Sequence, residues 1–254
     1  MRAGCDVLVE KPITATLKEA DGLIHIAEKF GRILQVGHIE RFNGAIQAIQ
    51  DLIDQPLFIE CHRLAPYNPR GTDVPVILDL AIHDLDIVLG FVHSPIRAIG
   101  AVGAPIISKS ADIGNIRIEF ENGCVANITV SRVSAKATRK IRFFQKNCYF
   151  SVDLLNKTVD VFRKKVDIDL LTRTDKSGYT EVINDGSGGS LLEKIVDYQR
   201  IIADQTEPLR AELASFIECI QMNRTPLVSG REGRRALSAA YRIIKIIREN
   251  PIFS

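Results

Sequence analysis

Five polar side chains stand where strands and helices of this sequence end or meet: Lys11, His38, Arg41, Asp79 and His83. Lys11 closes the run Val7-Leu8-Val9-Glu10, and His38 follows Ile33-Leu34-Gln35-Val36-Gly37. Asp79 and His83 lie four residues apart in an apolar stretch. A Lys, one or two His and an Asp around a small pocket suit proton transfer to or from a hydroxyl. A His titrates near neutral pH and can act as the base. A Lys ammonium can stabilise an alkoxide as it forms. An Asp one helical turn from a His can fix the ring or tune its pKa. Each residue alone has an ordinary structural explanation, and it is their common placement at strand ends that points to a site. Zinc on His38, His83 and Asp79 is the weaker alternative, because no paired-ligand spacing supports it. No metal is therefore expected. The segment 63–70 carries Arg63, Tyr67, Asn68 and Arg70, which can hold a phosphate or carboxylate, with Arg doing so bidentately. The same segment reads equally well as a polar surface loop.

The elements that must position these residues follow from periodicity. Residues 7–10 read as a buried strand. Residues 14–30 read as an amphipathic helix, with Thr16 as N-cap, Glu19 completing a capping box and Gly31 as the stop. Residues 33–36 are the next strand. A strand–helix–strand unit with a helix of this length gives parallel neighbours and a right-handed crossover. Lys11 and His38 then share the carboxyl edge of one sheet, where open α/β folds bind ligands. A second helix is expected over 41–53, a strand over 56–63 and a helix over 74–92 that stacks Asp79, His83 and Asp86 on one face. Thr72 or Asp73 would cap that helix. From 96 to 165 the pattern changes to strands. The hairpin 116–130 turns at Glu121-Asn122-Gly123, and strands 140–145, 149–154 and 158–162 continue as an antiparallel meander. Residues 167–189 form a polar loop with one further strand, and two helices, 208–222 and 230–248, close the chain.

Composition narrows the class. The 254 residues are 46% hydrophobic and 25% charged with a formal net charge of +2, as in ordinary globular proteins. No basic block with interleaved aromatics suggests nucleic acid, and no apolar run is long enough to span a membrane. Five widely spaced cysteines without a CxxC pair suit reduced thiols in the cytoplasm.

VLVEKPI, ILQVGHIERFN, LDLAIHDLDIV, EPLRAELASFIECI and PLVSG, in that order, resemble the Gfo/Idh/MocA family of NAD(P)-dependent oxidoreductases over nearly the whole chain. The resemblance implies an α/β fold: the C-terminal remnant of a Rossmann domain, residues 1–40, followed by an α+β domain with a large, mostly antiparallel sheet, residues 41–254. It implies hydride transfer between a hydroxyl-bearing carbon of a sugar or cyclitol and NAD or NADP. Carried over by position, Lys11 and His83 are the catalytic pair with Asp79 beside them. Glu10, Lys11 and Pro12 line the nicotinamide side, with His38 and Arg41 near the junction with substrate. The meander is the expected homo-oligomer surface. Residues 63–89 are most similar to the branch that oxidises the 3-hydroxyl of UDP-N-acetylglucosamine on the way to a diamino sugar of lipid A. Arg63, Tyr67, Asn68 and Arg70 would then contact the diphosphate. The family's opening strand and glycine-rich turn have no counterpart here, since Gly186, Gly188 and Gly189 open no strand–turn–helix unit. The expectation is an N-terminally truncated member of the family. A catalytically inactive dimeric remnant and a dehydrogenase for another sugar or cyclitol are the alternatives.

Overall fold

The computed structural model describes residues 1–69, 74–165, 172–174, 180–182 and 195–250. Arg70 and the expected caps Thr72 and Asp73 lie outside them, as does most of 167–189.

The chain opens as its patterning predicts. Strand β1 (Val7–Glu10) leads to helix α1 (Leu17–Phe30), then to strand β2 (Leu34–Gly37). Thr16 caps α1 by accepting from the Glu19 amide at 3.2 Å and donating to the Glu19 carboxylate at 3.0 Å. Gly31 ends it in the left-handed conformation (φ 57°) that favours glycine. β1 and β2 pair in parallel, Val7 with Leu34 through Glu10 with Gly37.

Residues 41–53 do not form the continuous helix expected. A 3₁₀ turn (Ile39–Phe42) is followed by the single-turn helix α2 (Gly44–Gln47). Asn43 interrupts them: its side chain accepts from the Ala45 amide and restarts the helix. The apolar spacing that suggested a helix is still used, because Ile46, Ile49 and Ile53 are all buried.

Strand β3 (Phe58–Leu64) enters the main sheet. The helix expected over 74–92 is a wide π turn (Ile77–Ala81) running into α3 (Ile82–Phe91). Strands β4 (Ile96–Ala104), β5 (Ile113–Phe120), β6 (Val125–Ser131), β7 (Thr138–Gln145), β8 (Cys148–Asp153) and β9 (Thr158–Lys164) follow. Two short strands, β10 (Thr172–Thr174) and β11 (Thr180–Val182), pair with each other where one was expected. Strand β12 (Val196–Ile202) was not expected at all. It lies at the sheet edge with Asp197, Tyr198, Gln199 and Arg200 exposed in succession, so it carries no alternation to read. Helices α4 (Pro208–Met222) and α5 (Gly230–Arg248) complete the fold.

The eight-stranded sheet runs β12-β9-β8-β7-β3-β6-β5-β4, antiparallel throughout except for β3 beside β6. Alternate residues of its inner face, among them Ile59, Ile118, Ile128, Phe143 and Val161, pack against Leu85 and Val88 of α3 and Ile243 and Ile247 of α5. A second core joins Ile13, Ala20, Leu34 and Val36 to Val228 and Leu237. Helix α5 thus enters both cores. It approaches β2 so closely that a Cβ on Gly233 would sit 2.6 Å from the Val36 side chain.

Candidate functional site

The site forms where β1, β2 and the π turn meet. β1 ends in Glu10, and the next residue, Lys11, is joined to Pro12 by a cis peptide bond. Its Nζ donates to the Asp79 carbonyl at 2.7 Å, with an Asp79 carboxylate oxygen at 3.8 Å. π turns are uncommon and cluster at functional sites, and this one brings Asp79 to Lys11. Burial lowers the Lys11 pKa despite the Asp79 charge. His38 follows β2 and is 1% exposed. His83, the second residue of α3, meets it edge to face with ring centroids 6.3 Å apart.

Lys11, Asp79, His38 and His83 therefore converge, but not in every role expected. Asp79 serves Lys11, whereas His83 Nδ1 has no hydrogen-bond partner. Burial, then the positive charges of Arg63 and Lys11, hold the His83 pKa well below the usual histidine range. Neutral imidazole is the form a base requires. Asp86 leaves the expected Asp79–His83 face and turns to Arg41, whose Nη1 lies 3.7 Å from its carboxylate and 3.3 Å from its carbonyl oxygen. Arg41 lies over Gly90, where a Cβ would clash with its guanidinium. Glu10 folds across Gly37, where a Cβ would come within 3.0 Å of the carboxylate. Pro12 continues the turn beside Lys11.

Within the segment 63–70, Arg63 is a correction. Arg63 belongs to β3 rather than to a loop, and it is 3% exposed. It donates twice to Asp84, at 2.9 Å each, and once to Glu40 at 2.8 Å. Burial works against its charge, but these two carboxylates outweigh it and raise its pKa. Its donors are committed to the interior, which is no place for a diphosphate. Tyr67 is exposed at 41%; Asn68 is in the same loop, and Arg70 lies outside the described residues.

The sequence reading passed over Glu40, Asp84 and Arg139. Asp84 sits in the same apolar stretch as His83, and the cost of burying an acid there was signal enough to find it. Arg139 lies opposite Arg63 in the β3–β7 register. It donates to Glu40 at 3.2 Å, is half exposed, and its charge reaches His83. Among the described residues no cluster of three or more His, Cys, Asp or Glu is arranged to hold a metal.

Comparison with known proteins gives this geometry a context. Residues 1–38 match the model of the oxidoreductase family with an NAD-binding Rossmann fold, and residues 50–147 match the Gfo/Idh/MocA C-terminal domain. The chain is 33% identical over 244 residues to the UDP-N-acetylglucosamine 3-dehydrogenase of Acidithiobacillus ferrooxidans, covering 96% of this chain and 71% of that one. The chain belongs to the Gfo/Idh/MocA family of NAD(P)-dependent oxidoreductases. A crystal structure of the same Acidithiobacillus ferrooxidans dehydrogenase superposes with a TM-score of 0.85 at 32% identity, over 97% of this chain and 72% of that one. The myo-inositol 2-dehydrogenase of Thermotoga maritima is 22% identical over 96% of this chain and 70% of its own length. The chain spans about seven tenths of these relatives.

Membership in the Gfo/Idh/MocA family implies a nicotinamide cofactor. The residues present fit its nicotinamide end. The β1–β2 edge offers Glu10, Lys11 and Pro12, and Gly37 leaves Glu10 the room to lie across it. The glycine-rich turn that grips a pyrophosphate is not part of this sequence.

Proposed function

We propose that this protein oxidises a sugar hydroxyl, the 3-hydroxyl of UDP-N-acetylglucosamine, to a ketone with NAD or NADP as hydride acceptor. The observation that carries the reading is the convergence of Lys11, tied to the Asp79 carbonyl, with a partly buried His83 kept neutral by its surroundings. Neutral His83 takes the hydroxyl proton. The Lys11 ammonium, held by Asp79, steadies the negative charge left on that oxygen. The bound nicotinamide supplies the hydride acceptor. Glu10, Lys11 and Pro12 would line it, with His38 and Arg41 at the junction with substrate. Similarity to the UDP-N-acetylglucosamine enzyme over nearly the whole chain favours a nucleotide sugar over a cyclitol. Arg139, half exposed on the same sheet face as Arg63, is the guanidinium we assign to the substrate's anionic end, with Tyr67 and Asn68 on the adjacent loop. Five free cysteines fit a reducing cytoplasm.

The test follows nicotinamide absorbance with UDP-N-acetylglucosamine and with myo-inositol at saturating NAD. Turnover is expected with the nucleotide sugar, and Lys11→Met should lower kcat about 100-fold, the loss seen when one charge-stabilising donor is removed. Equal rates on myo-inositol would overturn the substrate assignment. Unchanged turnover in Lys11→Met would overturn the chemistry.

A further inference from the structure

Behind His83 the unsatisfied polar groups continue into the interior. His83 Nδ1, both ring nitrogens of His38 and Asp86 Oδ2 are buried without hydrogen-bond partners. More than about 90% of such groups in proteins are satisfied, so four in succession call for a reason. A direct hydrogen bond between two imidazoles would bring their centroids to roughly 5 Å, given a usual donor–acceptor distance. The observed 6.3 Å leaves a gap that a single water closes, and a water needs just such polar partners.

The charges around the three groups run in one direction. The largest charges acting on His83 are those of Arg63, Lys11, His38 and Arg139, all of which disfavour a proton on it, while the nearby Asp79 pairs with Lys11. His38 faces Lys11 and Arg41, but also Asp86 and Glu10, and Asp86 pulls its pKa back up against burial. Burial raises the pKa of Asp86 against the opposing charges of His38 and of Arg41, whose Nη1 lies 3.7 Å from the same Oδ2, and this readies it to accept a proton. Its further charged neighbours, Glu232 and Arg235 of α5, reach solvent.

We propose that His38 is a proton relay, passing the proton that His83 must release from its buried face on to Asp86. This rests on the dehydrogenase reading of the preceding subsection. The substrate O–H bond breaks and its proton bonds to the outer nitrogen of His83. The Nδ1 proton of His83 leaves to the bridging water, which protonates one nitrogen of His38. Because neither His38 nor Asp86 Oδ2 has a direct partner, the proton on the other nitrogen of His38 crosses to Asp86 Oδ2 through a second water, and from there it reaches solvent past Glu232. The hydride goes to the nicotinamide, so no further oxidant is needed. His38 touches neither of the reacting atoms; its role is exercised through His83.

Two variants test the relay: His38→Gln, which keeps a hydrogen-bonding side chain but carries no proton, and the near-isosteric Asp86→Asn. The first measurement needs neither cofactor nor substrate. In the histidine-¹⁵N-labelled chain, Asp86→Asn is expected to lower the NMR titration midpoint of His38 about tenfold in proton affinity. An unmoved His38 midpoint would break the last link and overturn the proposal. The second measurement is turnover. His38→Gln should lower kcat at least tenfold with KM unchanged, and added imidazole should restore it while leaving the wild type unaffected. A His38→Gln enzyme with wild-type kcat, or one whose loss imidazole does not relieve, would also overturn the proposal. If no sugar is turned over by any form, the dehydrogenase reading fails, and the NMR arm still shows whether His38 and Asp86 are coupled.

Discussion

Arg63 and Arg139 are neighbours across two strands with opposite roles. Arg63 is closed in by Asp84 and Glu40, so Arg63→Ala would strand two buried carboxylates. Removing one partner of such a buried network costs about 3–5 kcal/mol, which denaturant unfolding would show as a lowered midpoint. Arg139 is half exposed and shares only the edge of Glu40, and a pair that open is worth about 0–1 kcal/mol. Arg139→Ala should leave the unfolding midpoint nearly unchanged and raise KM for the nucleotide sugar several-fold. If the two stability effects came out equal, this division of labour would be wrong. The same pair shows what the sequence could and could not reveal about the site. Lys11, His38, Asp79 and His83 were legible because strand ends and helical spacing place them without tertiary knowledge. The fate of Arg63 was not, because its partners Glu40 and Asp84 arrive from 23 and 21 residues away. Nothing local distinguishes a buried guanidinium from a ligand-binding one.

At the scale of elements, helix α5 shows how tightly the small sheet is held. A Cβ on Gly233 would meet Val36 at 2.6 Å, and overpacking of this kind costs about 1–3 kcal/mol. Gly233→Ala should lower the thermal midpoint, and an unchanged midpoint would mean that α5 can shift without cost. Helix α4 brings a different constraint. Its Glu212 is 1% exposed and its backbone carbonyl accepts from Gln35 of β2 at 3.3 Å. Burial, then the charge of Glu10, push the Glu212 carboxyl up to about 7. Because the folded state holds this proton more tightly than the unfolded one, its stabilising effect is full below pH ~4.5 and is lost as pH rises through about 7. Glu212→Gln should therefore flatten the fall in stability between about pH 5 and 8 and gain about 1–2 kcal/mol at pH 8. Unfolding curves at the two pH values decide it, and an identical pH slope in the variant would refute the assignment. Elements with strong periodicity, such as α1 and the β5–β6 hairpin, could be read directly from the sequence. The π turn could not, since an extra residue in one turn leaves the apolar pattern of residues 74–92 almost intact. β12 could not either, because a solvated edge strand has no buried face to mark it.

For the whole molecule, the outer face of the eight-stranded sheet is the feature the interior leaves unexplained. Aromatic rings cross it in a row from β3 to β12. Phe58 lies 5.9 Å from Phe144, Phe144 stacks on Tyr149 at 4.7 Å, Tyr149 on Phe162 at 5.2 Å, and Phe162 meets Tyr198 at 5.1 Å. Ion pairs accompany the row, Arg142 with Glu60 and Arg200 with Asp160. A face with an aromatic core and charges of both signs around it is able to match a rotated copy of itself, as a two-fold interface requires. The expected outcome is a homodimer through this face, with the catalytic edge left free because it lies on the helix side of the sheet. Tyr149→Glu would set a carboxylate in the middle of the row without touching the core, since Tyr149 points outward while Phe150 is buried. Sedimentation should then show a monomer where the wild type is dimeric, with unfolding midpoints matched to within about 0.5 kcal/mol after allowance for dimer linkage. A variant that sediments like the wild type would place the interface elsewhere. A wild type that is monomeric at every concentration would leave the aromatic row without this role.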